Sequence, residues 1–150
     1  MAIGAAGAHV GQKDLPAEDA RRLMGPEAII GLSVSNAAEL EASRSLAAAG
    51  VVDYLGIGPI ESTSTKPDAA APLGLPGFAA LAAVKPCPVV AIGSVKIHNA
   101  AALAAAGADG IAVVSAICGT ADPRAASEAD RKSTRLNSSH KVQSRMPSSA

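Results

Sequence analysis

The chain has 150 residues, 49% of them hydrophobic, and a formal net charge of +0. That length fits one ordinary domain, and the charge balance gives no electrostatic reason to expect nucleic acid or an acidic membrane as partner. Tyr54 and Phe78 are the only aromatic residues, so the core must be built from Ala, Val, Ile and Leu. Gly and Pro interrupt the apolar runs well short of the ~20 residues a membrane span needs. The opening MAIGAAGAH lacks the basic start and long apolar stretch of a secretory signal. Cys87 and Cys118 have neither CxxC nor Cys/His spacing and read as small core residues in a reducing compartment. A cytoplasmic α/β protein is expected.

In chain order, AHVGQ (Ala8–Gln12) predicts a first strand and Pro16–Met24 a helix, with Asp14 as its N-terminal signal. AIIGLSV (Ala28–Val34) predicts the second strand. Asn36-Ala-Ala-Glu39 then reads as a capping box opening a helix through Ala48, with Gly50 as its stop. VVDYLGIG (Val51–Gly58), CPVVAIG (Cys87–Gly93) and GIAVVSA (Gly110–Ala116) predict three more strands. The intervening helices are expected at Leu75–Val84 and Ile97–Ala106, the latter closed by Gly107. Near-continuous apolar runs of this kind suit strands buried on both faces of a parallel sheet.

Strand and helix therefore alternate five times. A doubly wound sheet and part of a (β/α)8 TIM barrel both fit, but no Gly-rich dinucleotide fingerprint follows the first strand. A whole barrel usually takes about 250 residues, so the expected architecture is a partial barrel, about its last five βα units.

Composition changes abruptly at Asp130, where DRKSTRLNSSHKVQSRMPSSA is polar, basic and aperiodic. Polarity alone predicts a disordered tail. Back-translated in one frame, Asp130–His140 and Ser144–Ala150 also look like a common sequencing-library adapter, with Lys141–Gln143 where a variable index would fall. Residues 130–150 are accordingly expected to be non-native, and 1–129 to form the domain. Residues 1–129 hold eight Lys/Arg against twelve Asp/Glu, a net charge of −4, so any anion site must be local.

The polar residues of the five strands gather at their carboxyl ends, where barrel enzymes place their chemistry. In Gly58-Pro-Ile-Glu-Ser-Thr-Ser-Thr-Lys66, hydroxyls, backbone N–H groups and one mobile cation suit a phosphate or diphosphate. A solvated loop with a surface lysine explains the same residues about equally well until Gly93-Ser94 and Ser115 are added at the phosphate corner of such barrels. Asp14 is a plausible magnesium ligand, with a helix N-cap as its plainer role. His9 reads as a hydrogen-bonded strand residue, His98 as a first-turn helix residue, and Asp53, Asp68 and Asp109 as turn or cap residues.

The ordered set HVGQKD, IIGLSVSN, YLGIGPIESTSTKPD and VVAIGSVKIHNAAALAAAGADGIAVVSAI resembles the thiamine phosphate synthase family, from about Ile3 to Ala126. The resemblance implies a (β/α)8 barrel that joins hydroxymethylpyrimidine diphosphate to thiazole phosphate with Mg²⁺, diphosphate leaving before the thiazole nitrogen attacks. By position it implies that Asp14 is a magnesium ligand and that Ser33 lies beside the pyrimidine diphosphate. Thr63, Ser64 and Thr65 match the thiazole-phosphate loop, Lys66 the diphosphate-binding lysine, and Gly93, Ser94, Val114 and Ser115 the remaining phosphate contacts. Lys66 and Ser33 are the catalytic candidates.

The family's Gln-x-Arg-x-Lys and Asn-Asp segments have no counterpart here, so the chain is expected to be a C-terminal fragment with an incomplete site. Ser94 replaces the second Gly of a Gly-Gly pair, where its side chain could crowd a phosphate or its hydroxyl add a contact. Glu61 replaces an aromatic, setting negative charge beside a phosphate loop unless it turns away. Ala6 replaces an Asp. Open barrel edges are expected to favour self-association. Two alternatives stand beside the synthase: a thiazole tautomerase-like isomerase, disfavoured because Ser33 stands where that relative has a proton-transferring histidine, and a non-catalytic phosphate-binding remnant.

Overall fold

The computed structural model describes residues 4–62, 70–118 and 120–129. The elements alternate as β1 (Gly7–Val10), α1 (Ala17–Met24), β2 (Ile29–Val34), α2 (Ala37–Ala48), β3 (Tyr54–Ile57), α3 (Gly74–Ala82), β4 (Val89–Ile92), α4 (Ile97–Ala105) and β5 (Gly110–Ala112). The strands form one parallel sheet in the order β1-β2-β3-β4-β5. A doubly wound sheet reverses its strand order part-way; this one does not. Right-handed crossovers that always step in one direction leave every helix on the same face, which is the winding of a barrel.

The core lies between that face and the helices. Ile30, Leu32 and Val34 of β2, Leu55 and Ile57 of β3, and Val89 and Ala91 of β4 are buried there with Leu40, Phe78, Leu81 and Leu103 from the helices. The other face is only partly covered: Ile29 is 55% exposed and Ile92 36%, whereas Gly31 and Gly56 on that face are buried. The expectation of strands buried on both faces is therefore met in the middle of the sheet and corrected at its margins. β1 and β5 do not pair, so among the described residues no opposing strand closes over the second face.

The predicted elements are recovered with shorter strands, because only part of each apolar run finds a ladder partner, and β1 begins one residue earlier, at Gly7. Asn36 caps α2 by accepting from Glu39 N at 2.9 Å, while the Glu39 carboxylate reaches past the cap to Ser35 N at 2.7 Å. Asp14 is not a helix cap: Pro16 holds that position in α1 without a side-chain bond. The Asp14 Oδ2 instead accepts from Gly11 N at 2.7 Å, closing the turn after β1.

Two aspartates do more than turn the chain. Asp53, just before β3, accepts from Ile30 N at 2.6 Å and donates its own N–H to Ile30 O at 2.8 Å. Asp109, just before β5, does the same with Val89, at 2.8 Å in both directions. Arg21 and Lys85 respectively neutralise the two carboxylates. Equivalent staples therefore set the registers β2–β3 and β4–β5.

Candidate active site

The loops that leave the carboxyl ends of the strands enclose a cavity of ≈ 690 Å³. Asp14, Ser33, Gly93, Ser94, Val114 and Ser115, singled out from the sequence on four different segments, all line it. Thr63, Ser64, Thr65 and Lys66 lie outside the described residues. Gln12, Lys13, Ser35 and Glu39 also line the cavity, although sequence reasoning did not select them. The signal for the first two was present in HVGQKD, which continues directly from β1 into the cavity rim.

Each wall has a local cause. Gln12 donates from Nε2 to Ser33 O at 2.6 Å, tying the loop after β1 to β2. Glu39 faces the cavity but is held by Ser35 N, Ser35 Oγ and Asn36 Nδ2, so its charge serves the start of α2. After β5, Val114 O accepts from Ile117 N at 3.1 Å and Cys118 N at 2.7 Å. A helical turn thus opens at once, and such a turn leaves its leading N–H groups, here those of Ser115 and Ala116, without intrahelical partners.

Gly93 has φ 85 and Ser94 φ 58, both left-handed. A Cβ on Gly93 would stand 2.6 Å from Pro59 Cα, so only glycine allows the β4 turn to pack on the segment after β3. Ile60 N donates to Gly93 O at 3.0 Å across that contact. Ser94 keeps the turn in spite of its side chain, and its hydroxyl donates to Ser62 O at 2.7 Å. Through that bond it braces the segment that ends at Ser62. Glu61 turns away from the cavity, accepting from Asn99 Nδ2 at 2.9 Å and pairing with His98 Nε2 at 3.2 Å. Those two bonds, the Asn99 bond first, hold its carboxyl below the ordinary range.

His9 lies on the partly covered face of β1, its Nδ1 2.9 Å from Tyr54 Oη and its Nε2 2.9 Å from Ser33 Oγ. The expectation of a hydrogen-bonded strand histidine holds, and one of its two partners, Ser33, lines the cavity. Desolvation on the sides facing its neighbours lowers the His9 pKa, against the opposing charge of Asp14. Burial likewise raises that of Tyr54.

A parallel sheet in chain order, with its helices on one face and a cavity at the strand carboxyl ends, defines the (β/α)-barrel class. Residues 1–117 match the family profile described as thiamine monophosphate synthase, and the chain belongs to that family. It is 56% identical over 125 residues to the thiamine-phosphate synthase of Laribacter hongkongensis, covering 83% of this chain and 57% of that protein. It is 50% identical over 121 residues to the thiamine-phosphate synthase of Azorhizobium caulinodans, covering 81% and 55% respectively. The chain thus spans about half the length of the curated relatives it matches. Its structure is similar to thiamine phosphate pyrophosphorylase from Pyrococcus furiosus, with TM-score 0.75 and 37% identity over 91% of this chain and 62% of that one. A 3-hexulose-6-phosphate synthase, at TM-score 0.62 and 22% identity, shares the fold alone.

Proposed function

We propose that the chain forms part of a transferase joining hydroxymethylpyrimidine diphosphate to thiazole phosphate, giving thiamine phosphate and releasing diphosphate. The observation that carries this reading is the convergence of Asp14, Ser33, Gly93, Ser94 and Ser115 on one cavity, in a chain of the thiamine monophosphate synthase family. Backbone N–H groups at the Gly93 and Ser115 turns suit the phosphate of the thiazole partner. Ser33 faces the pyrimidine, and Lys66 neutralises the diphosphate as it departs. The synthase names of the relatives favour this reaction over the tautomerase-like isomerase.

Mg²⁺ fits the donor set. It takes one or two carboxylates, with substrate phosphates and water completing its shell. Asp14 supplies one carboxylate, whose Oδ2 is engaged by Gly11 N and whose Oδ1 is the atom left for a cation. Substrate phosphates and water would complete the shell around the ion. When bound, the ion supplies charge neutralisation on the leaving group.

Three further readings accompany the reaction. Free Cys87 and Cys118 suit the reducing cytoplasm; among the described residues no helix is long and apolar enough to cross a membrane. The unpaired edges of β1 and β5 favour association with a second copy. Residues 130–150 are a non-native addition to a domain of 1–129.

The test is turnover of both substrates with Mg²⁺ by the full chain, beside calorimetric binding of thiazole phosphate. Lys66→Ala is expected to lower kcat/KM about 100-fold and leave thiazole phosphate binding nearly unchanged. Binding without Mg²⁺-dependent product would leave the non-catalytic phosphate-binding remnant as the correct description.

A further inference from the structure

Asn99, in the first turn of α4, is not a lining residue of the cavity, yet its side chain is fully engaged beside it. Its Oδ1 accepts from Lys96 N at 2.9 Å, while its Nδ2 donates to Glu61 Oε1 at 2.9 Å and to Ser94 O at 3.2 Å. These partners fix the orientation of the amide. A backbone N–H only donates and so faces the oxygen; a carboxylate and a carbonyl only accept, and take the two N–H groups. One side chain therefore ties together the start of α4, the turn after β4 and the segment after β3.

The bond to Ser94 O bears on the cavity. Gly93, Ser94 and Val95 all line it, and Ser94 has φ 58, a conformation that serine keeps only where its surroundings hold it. Gly93 O accepts from Ile60 N at 3.0 Å, which pins the peptide before Ser94, and the Ser94 hydroxyl is held by Ser62 O. The peptide after Ser94 is pinned by Asn99: among the described residues no backbone N–H donates to Ser94 O. In a trans peptide the N–H points opposite to the C=O, so a carbonyl drawn to Asn99 aims the Val95 N–H away from it. Val95 is only 2% exposed, and its N–H has no acceptor among the described residues. A buried donor left open beside a cavity is the mark of a ligand contact.

We infer that Asn99 is a positioning residue for anion binding: by holding Ser94 O it fixes the Ser94–Val95 peptide and presents the Val95 N–H to a phosphate oxygen in the cavity. Asn99 touches no ligand atom itself. That the anion is thiazole phosphate rests on the function proposed above, whereas the hold on the peptide does not.

The test is a double exchange, Asn99→Asp with Glu61→Gln. The new carboxylate still accepts from Lys96 N, the new amide donates back across the pair, its oxygen still serves His98, and the net charge is unchanged. Only the donor to Ser94 O is gone. Thiazole phosphate and inorganic phosphate are titrated by calorimetry into the full chain and the exchanged variant, beside nitrogen-15 spectra of both. The expected result is about five-fold weaker binding of each anion, the worth of one neutral hydrogen bond, at an unchanged melting temperature. The Ser94 and Val95 amide signals should already differ between the two proteins without ligand, and phosphate should move the Val95 amide of the parent. Parent-like binding, parent-like Val95 signals, or a lower melting temperature with binding intact overturns the inference and leaves Asn99 a helix cap. Should the exchange fail to fold, the parent decides, because a Val95 amide indifferent to both anions is equally fatal. A parent that binds inorganic phosphate through Val95 but ignores thiazole phosphate upholds the role of Asn99 and removes the thiazole reading of the cavity.

Discussion

The Ser94 hydroxyl donates to the Ser62 carbonyl at 2.7 Å, joining the turn after β4 to the segment that leads into Thr63–Lys66. The bond is made by a residue whose φ of 58 would suit glycine better. Left-handed backbone costs a non-glycine residue about 1–2 kcal/mol, and the bond returns about 1 kcal/mol. Ser94→Gly should therefore leave urea stability within about 1 kcal/mol of the parent. Ser94→Ala keeps the strain and loses the bond, so it should cost about 1 kcal/mol in the same measurement.

The aspartate staples should be structural and independent of the cavity. Asp53→Ala leaves Ile30 N and Arg21 without their shared acceptor, and Asp109→Ala does the same to Val89 N and Lys85. Each is expected to cost about 1–3 kcal/mol in denaturant unfolding. Thiazole phosphate affinity of the folded fraction should not change.

Protonation of His9 should destabilise the fold. Its folded pKa lies below the ordinary histidine value of 6.5, so the unfolded chain binds more protons as pH falls through that window. Stability is fully present above the unfolded value and is lost as pH drops through the folded one. Thermal melts between pH 7.5 and about 5 should show the loss, and His9→Gln, which does not titrate, should flatten it.

Ile29 stands bare on the partly covered face, 55% exposed. If two copies associate there or along the adjoining edge, Ile29→Glu should reduce the mass seen by light scattering without lowering the melting temperature. An unchanged mass distribution would exclude this face from the contact.

Removal of residues 130–150 should leave the melting temperature and the thiazole phosphate affinity where they are. A drop in either would show that the segment belongs to the domain.

Much of this protein was legible in one dimension. Short apolar runs punctuated by Gly and Pro, with Ala-rich helices between them, define five βα units. The polar residues at strand ends then mark where a site must lie, because a parallel sheet points all its carboxyl ends the same way. Asp14, Gly93 and Ser115 were readable for that reason, and Ser33 through the family resemblance. The cap at Asn36 was equally local, needing only the four residues Asn36–Glu39.

What tertiary structure alone decided is where polar groups find partners across strands. Period and composition cannot say which residues face one another when the neighbours are 24 and 45 positions apart, as Ser33 and Tyr54 are from His9. Nor can they say that Ser94 spends its hydroxyl on Ser62, that Glu61 turns toward Asn99, or that Asp14 closes its own turn instead of capping α1. Local propensity acts within a few residues of the chain, so it determined the elements and the end of the sheet that carries the site. Hydrogen-bond direction depends on which donors and acceptors the finished sheet brings within 3 Å or so, and that exists only once strands distant in sequence have paired.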